Sequence, residues 1–258
     1  MSEKNRDGKR TARERMAVER EKQRTTDRRR RALIVGASVV CVLALATVVG
    51  VLAANSGKKS KSSAAGPAIA PSGATGKDSL AIPVGKDSAK STLTVWEDFR
   101  CPACQGFETA YRPTIRQLVD AGKLKVEYHL VTLIDGNLGG SGSLNAANAA
   151  ACAQDAGKFW AYHDVLYENQ PKETQDSYGD NAKLIELAGK VDGLRTPAFE
   201  KCVNDGTHNS WVKKSHAAFA SGGFNGTPTV LLDGKNLYSD QTMTPAKLKQ
   251  LVEAANKS

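Results

Sequence analysis

The chain has 258 residues, 40% hydrophobic and 24% charged, which is ordinary for one or two globular domains. Its net charge of +9 invites a nucleic-acid reading, but residues 1–31 hold 13 Lys and Arg against 6 Asp and Glu, a balance of +7 that leaves only +2 for the rest. The basicity belongs to a tail, and no basic stripe interleaved with aromatics follows it, so nucleic acid is excluded as a partner of the folded part.

Residues 1–31 read as a basic cytoplasmic tail that sets topology and touches anionic lipid. Residues 32–54 form an uncharged run of 23, ALIVGASVVCVLALATVVGVLAA. About 20 apolar residues span a bilayer, whereas the apolar region of a cleaved signal is usually ~7–15. The run therefore predicts one retained transmembrane helix, with Cys41 as a small apolar filler. Arg28, Arg29, Arg30 and Arg31 abut its start, while only Lys58, Lys59 and Lys61 cluster after it. The positive-inside rule then puts the N-terminus in the cytoplasm and the remainder outside the cell membrane, single-pass. Residues 55–78 are rich in Ser, Gly, Ala and Pro and predict a flexible tether. Residues 79–258 predict one domain, long enough to bury a proper core.

Four of the five cysteines follow the span: Cys101, Cys104, Cys152 and Cys202. In an oxidising compartment four cysteines allow three connectivities. Cys101 and Cys104 form a C-x-x-C pair, chemically sufficient by itself. That reading leaves Cys152 and Cys202 for each other as a structural disulfide. Residues 92–96 (TLTVW) have the β-branched and aromatic content of a strand. After CPAC, Phe107, Tyr111, Ile115, Leu118 and Val119 recur at helical spacing. CPAC thus opens a helix directly after a strand, with Pro102 in the first turn. A helix N-terminus offers unpaired N–H groups and partial positive charge, both of which stabilise a thiolate. Cys101 is the expected nucleophile and Cys104 the resolving thiol. The rival is half a zinc site. It needs a second C-x-x-C or an H-x3–5-H, and His129, His163, His208 and His216 stand at no such spacing. No metal and no cofactor is expected.

Further along, residues 125–133 predict a strand. Helical stretches follow at about 143–156, 158–168, 181–191, 196–205 and 208–221, then a strand at 229–232. A last helix begins with Thr244 as N-cap and Pro245 in its first turn. Trp96, Trp160, Tyr162, His163 and Trp211 read as packing residues rather than ligands.

The stretches VWEDFRCPACQGFE, KFWAYHDVLYENQ and GFNGTPTVLLDG together resemble the DsbA-like branch of the thioredoxin superfamily, in particular its membrane-anchored bacterial members. The resemblance implies an α/β, thioredoxin-like fold with an inserted helical domain at about 140–222, preceded by the transmembrane helix. It implies a cis Pro228, with Thr227 offering backbone groups to an extended substrate chain. It offers Asp98 as a proton-transfer group. It also implies exported cysteine-containing proteins as substrates, and a membrane quinone-linked thiol oxidase as electron acceptor. Two departures stand out. The family's buried acid, six residues before the first cysteine, is Val95 here, and Pro102-Ala103 lacks the His of strongly oxidising members. The expected activity is protein thiol–disulfide exchange, as a dithiol oxidase of exported proteins. Alternatives are a reductase or isomerase of exported thiols, or a non-catalytic thioredoxin-like scaffold.

Overall fold

The computed structural model describes residues 67–237 and 243–257. The elements run in chain order β1 (Ile82–Val84), β2 (Ser91–Glu97), α1 (Pro102–Asp120), β3 (Leu124–Leu130), α2 (Leu133–Leu138), α3 (Gly142–Asp155), α4 (Phe159–Glu168), α5 (Asn181–Ala188), α6 (Pro197–Asp205), α7 (Asn209–Ser221), β4 (Thr229–Leu232), β5 (Lys235–Asn236) and α8 (Pro245–Ala255). The strands form one sheet in the order β1-β3-β2-β4-β5. β2 is parallel to β3 and antiparallel to β4, and it sits at the centre. This is the thioredoxin-like α/β arrangement, with α2 to α7 placed between β3 and β4.

Central position explains the composition of β2. Its side chains alternate between two faces. Leu93 and Val95 join the main core with Phe107, Ile115 and Leu118 of α1 and Leu248 and Val252 of α8. Trp96 instead joins Val131 and Phe219 of α7 in a smaller apolar cluster. Each fully buried Val, Leu or Phe contributes about 1.5–3 kcal/mol, so both faces hold the strand that carries the cysteines. In the insertion, α3 is buried nearly all round through Ala146, Ala147, Ala149, Ala150, Ala151 and Ala153. Its small side chains let α4, α6 and α7 pack closely against it. Side-chain caps set the helix starts: Asp180 for α5, Thr196 before Pro197 for α6, and Thr244 before Pro245 for α8. Helix α6 ends on Gly206 at φ 62°, a left-handed conformation that glycine adopts freely.

Two expectations need correction, and a third feature went unpredicted. The tether predicted through residue 78 ends earlier, because residues from Ile69 on lie against the domain as a strap, beginning with the Ile69 carbonyl 2.8 Å from His208 Nδ1. The Ser72 N–H donates to Asp155 Oδ1 at 2.7 Å, and Gln154 Nε2 donates to the Ser72 carbonyl at 2.9 Å. Trp211 Nε1 donates to the Ser79 carbonyl at 2.7 Å, and Thr75 bridges Ala81. Partners far along the chain capture the strap's backbone groups, and local composition carries no sign of them. Second, β3 stops at Leu130 rather than 133. The next residues turn into α2, whose Ile134 N–H is taken by Asp98 Oδ2 at 2.9 Å. Third, β1, only three residues long, has no sequence signal. Among the described residues no helix is long and apolar enough to cross a membrane. The predicted tail, the span at 32–54 and the tether up to residue 66 lie outside the described residues.

Candidate active site

Strand β2 delivers the chain to a three-residue turn, Asp98-Phe99-Arg100, and Cys101 then caps α1 with Pro102 at its first position. Cys101 has extended backbone angles, φ −77° and ψ 118°, so its side chain sits at the mouth of the helix. The Cys104 and Gln105 N–H groups donate to the Cys101 carbonyl at 3.1 and 3.2 Å. Both cysteines are free thiols; Cys101 is 7% exposed and Cys104 not at all.

The two sulfurs are electrostatically unlike. A hydrogen bond from Cys104 draws the Cys101 thiol down to about 6, against burial, with help from Thr227 and the N–H groups of Cys104 and Ala103. Burial pushes Cys104 well above 9, and the charges of Cys101 and Glu97 add to this. Cys101 is therefore the thiolate at neutral pH, and Cys104 is the protonated donor that steadies it. From the other side, the Thr227–Pro228 peptide bond is cis, and the Cys101 Sγ lies 3.3 Å from the Thr227 carbonyl. The structure thus brings together Cys101, Cys104, Thr227, Pro228 and Asp98.

Asp98 is fully buried. It accepts from the Arg100 N–H at 2.8 Å and the Ile134 N–H at 2.9 Å, and burial raises it to about 6 in spite of those bonds. Cys152 and Cys202 lie elsewhere, joined as a disulfide between α3 and α6 in the insertion.

Several residues at the site had no sequence signal. Arg100 is 2% exposed and binds Asp135 at 2.7 Å and Asp176 at 3.0 Å, besides the carbonyls of Gly139 and Glu173. Gln170 Nε2 donates to the carbonyls of Phe99 and Cys101 at 2.9 and 3.0 Å. The Tyr167 hydroxyl donates to the Asp98 carbonyl at 3.3 Å. The insertion therefore clamps the cysteine turn by its backbone.

Beneath Cys104 lies a second group. Glu97 Oε1 is 2.7 Å from His163 Nε2, with neither side chain exposed. Glu108 joins them, with one carboxylate oxygen within 4.8 Å of an atom of each. Glu108 stands one helical turn after Cys104, so both project from the same face of α1. Burial holds Glu108 up at about 8, protonated at neutral pH. Burial opposes charge on His163, but Glu97 and Glu108 outweigh it and raise the imidazole to about 10. An imidazolium has no free lone pair for a metal ion. His163 Nδ1 then meets Asp164 at 3.5 Å, and Asp164 pairs with Arg112 and with the partly exposed Arg116. The i,i+4 spacing of Cys104 and Glu108 was the one signal in the sequence. His163 had none, since its partner Glu97 is 66 residues away.

An asymmetric dithiol opening a helix after a central strand, faced by a cis-proline loop, defines a thiol–disulfide oxidoreductase of thioredoxin fold. The chain matches the family model described as Thioredoxin over residues 77–254, and it belongs to that family. It is similar to the probable disulfide bond formation protein D of Bacillus cereus, at 27% identity over 154 residues, covering 58% of this chain and 69% of that one. Among solved structures it resembles the disulfide bond oxidoreductase DsbG of Mycobacterium tuberculosis in its reduced form, at 29% identity and TM-score 0.61, over 72% of this chain and 90% of that one. It also resembles reduced DsbA of the same organism, at 28% identity and TM-score 0.60, over 69% and 93% of the two chains. The chain is a DsbA-like protein thiol–disulfide oxidoreductase.

Proposed function

We propose that the chain is a dithiol oxidase of exported proteins, anchored in the cell membrane with its catalytic domain outside. The anchor and its orientation rest on the apolar run at 32–54 and the arginines before it. Direction rests on one observation above all, the Cys101 thiol held down at about 6. Stabilising a thiolate stabilises the reduced pair, which makes the disulfide the stronger oxidant.

In the oxidising direction a substrate thiolate attacks Cys101 of the Cys101–Cys104 disulfide. That bond breaks, a mixed disulfide forms, and Cys104 leaves as a thiolate. Buried Cys104 needs a proton, and Glu108, protonated and one turn away, supplies it. The proton is replaced through Glu97, His163 and Asp164 from the Arg116 side, where the network reaches solvent. Asp98, bound to the Arg100 N–H of the turn and the Ile134 N–H of α2, holds the turn's shape instead of relaying protons. A second substrate thiolate then attacks the substrate sulfur, and Cys101 departs as a stable thiolate. Two substrate thiols have lost two electrons to the pair, and a membrane quinone-linked thiol oxidase takes them up. Thr227 and Pro228 present main chain to an extended substrate, which gives affinity with little sequence preference. The Cys152–Cys202 disulfide is structural.

A redox titration of the full chain against glutathione tests direction. An oxidase has a potential above about −200 mV. A value near about −270 mV, the thioredoxin range, overturns the proposal in favour of a reductase.

A further inference from the structure

A cavity of about 430 Å3 lies between the strap, the C-terminal end of α7 and the ends of β2 and β3. It has the size of a small ligand site. It is half open to solvent, so a side chain presented from outside can enter it without rearrangement of the fold. Trp96 and His129 form one wall, stacked at 3.9 Å between ring centroids and 13° between planes. Phe224 forms another, 5.7 Å from Trp96 and 5.7 Å from Phe219. Leu80 and Ala218 complete the apolar lining, and Lys77, Asp78 and Ser221 add polar groups to it. The His129 Nδ1 is buried and has no hydrogen-bond partner. The rim is shaped by two consecutive non-glycine residues in the left-handed region, Asp78 at φ 58° and Ser79 at φ 55°. That conformation is uncommon for side-chain-bearing residues, and the Trp211 hydrogen bond to the Ser79 carbonyl holds it.

The cavity is joined to the redox site by one loop. Phe224 lies three residues before Thr227, whose carbonyl touches the Cys101 sulfur. Three residues reach at most about 11 Å at ~3.6 Å each. On the other side Trp96 pairs with Thr229 across the β2–β4 ladder. A substrate chain laid along Thr227 advances about 3.3 Å per residue, so the residue about three or four from its reacting cysteine arrives over Phe224.

We propose that this cavity is a subsite for an aromatic or large aliphatic side chain of the substrate, about three or four residues from its reacting cysteine. The subsite rests on the reading of Cys101 and Cys104 as an oxidant of protein thiols. Main-chain contact at Thr227 alone selects little, and a stacking pocket beyond it adds selection for unfolded segments with exposed apolar residues.

The test uses the full chain in detergent, with its pair oxidised, and two synthetic dithiol peptides. The peptides differ only in Trp against Ser at the fourth position from the first cysteine. Each turnover forms one peptide disulfide and reduces the pair, and the rate of that reduction is followed. The Trp peptide is expected to react about tenfold faster at limiting concentration, from burial of its ring. Ala218→Phe, which fills the cavity, and Phe224→Ser, which removes a wall at a half-exposed loop position, both bring the ratio to about one. The Ser peptide keeps its wild-type rate in both. Equal rates for the two peptides on the wild-type chain, or a preference that survives both substitutions, overturn the subsite and leave the oxidase reading standing. Reaction with neither peptide overturns the oxidase reading, and the subsite falls with it.

Discussion

The residue that sets the chemistry is Cys101, and its ionisation has consequences for stability as well as rate. Its thiol in the folded, reduced chain lies at about 6, below the ~8.5 of an unfolded cysteine. For a depressed acid the stabilisation is fully present above the unfolded value and is lost as pH falls through the folded one. Relative to Cys101→Ser, the reduced chain therefore gains thermal stability between about pH 6 and 8.5 and loses the advantage below 6. Glu108 sits on the proton side of the same reaction. Glu108→Gln keeps the shape of a protonated carboxyl but carries no transferable proton. Acid–base groups of this kind typically contribute about 10²-fold or more. Single-turnover oxidation of a dithiol peptide by Glu108→Gln should slow by about that factor, while the alkylation midpoint of Cys101 stays near its wild-type value. An unchanged turnover rate would remove Glu108 from the proton path.

At the scale of elements, the cysteine turn is held by the insertion as firmly as by its own strand. Arg100 spans from the turn to Asp135 of α2 and to Asp176, in the loop between α4 and α5. Removing one partner of a buried pair leaves an uncompensated charge and costs about 3–5 kcal/mol. Arg100→Leu should lower stability towards the lower end of that range, about 3 kcal/mol, because Asp176 is 35% exposed and water recovers part of the loss. An unfolding free energy from denaturant titration changed by less than about 1 kcal/mol would show that Arg100 is not the tie between turn and insertion. These elements also show what was legible beforehand. The strand, Pro102 at a helix start and the Thr244-Pro245 cap are local patterns, and each stood where the spacing predicts. Arg100, Gln170 and the Glu97–His163 pair act through partners 35 to 73 residues distant. Periodicity over a window of one helix or strand cannot register such partners. The strap failed in the reverse sense: its Ser, Gly and Pro content reads as unstructured, yet side chains of α3 and α7 pin its backbone.

On the scale of the whole molecule, the sheet positions the redox turn and the insertion covers it, so the insertion's integrity should govern lifetime more than chemistry. The Cys152–Cys202 disulfide joins α3 to α6 across 50 residues and lies wholly within the insertion. Closing a loop of that length restricts the unfolded chain by about 4 kcal/mol on the entropy model. For a domain of this size each kcal/mol is worth roughly 2–4 °C. The double change Cys152→Ala with Cys202→Ala should therefore lower the thermal midpoint by about 8–16 °C. The Cys101 alkylation midpoint should remain at about 6, because none of the groups that depress it belongs to α3 or α6. Thermal unfolding and pH-dependent alkylation of the same preparation check both halves. A midpoint for Cys101 that rises together with the loss of stability would mean that the second disulfide reaches the redox turn through the insertion, and that the two sulfur pairs are coupled.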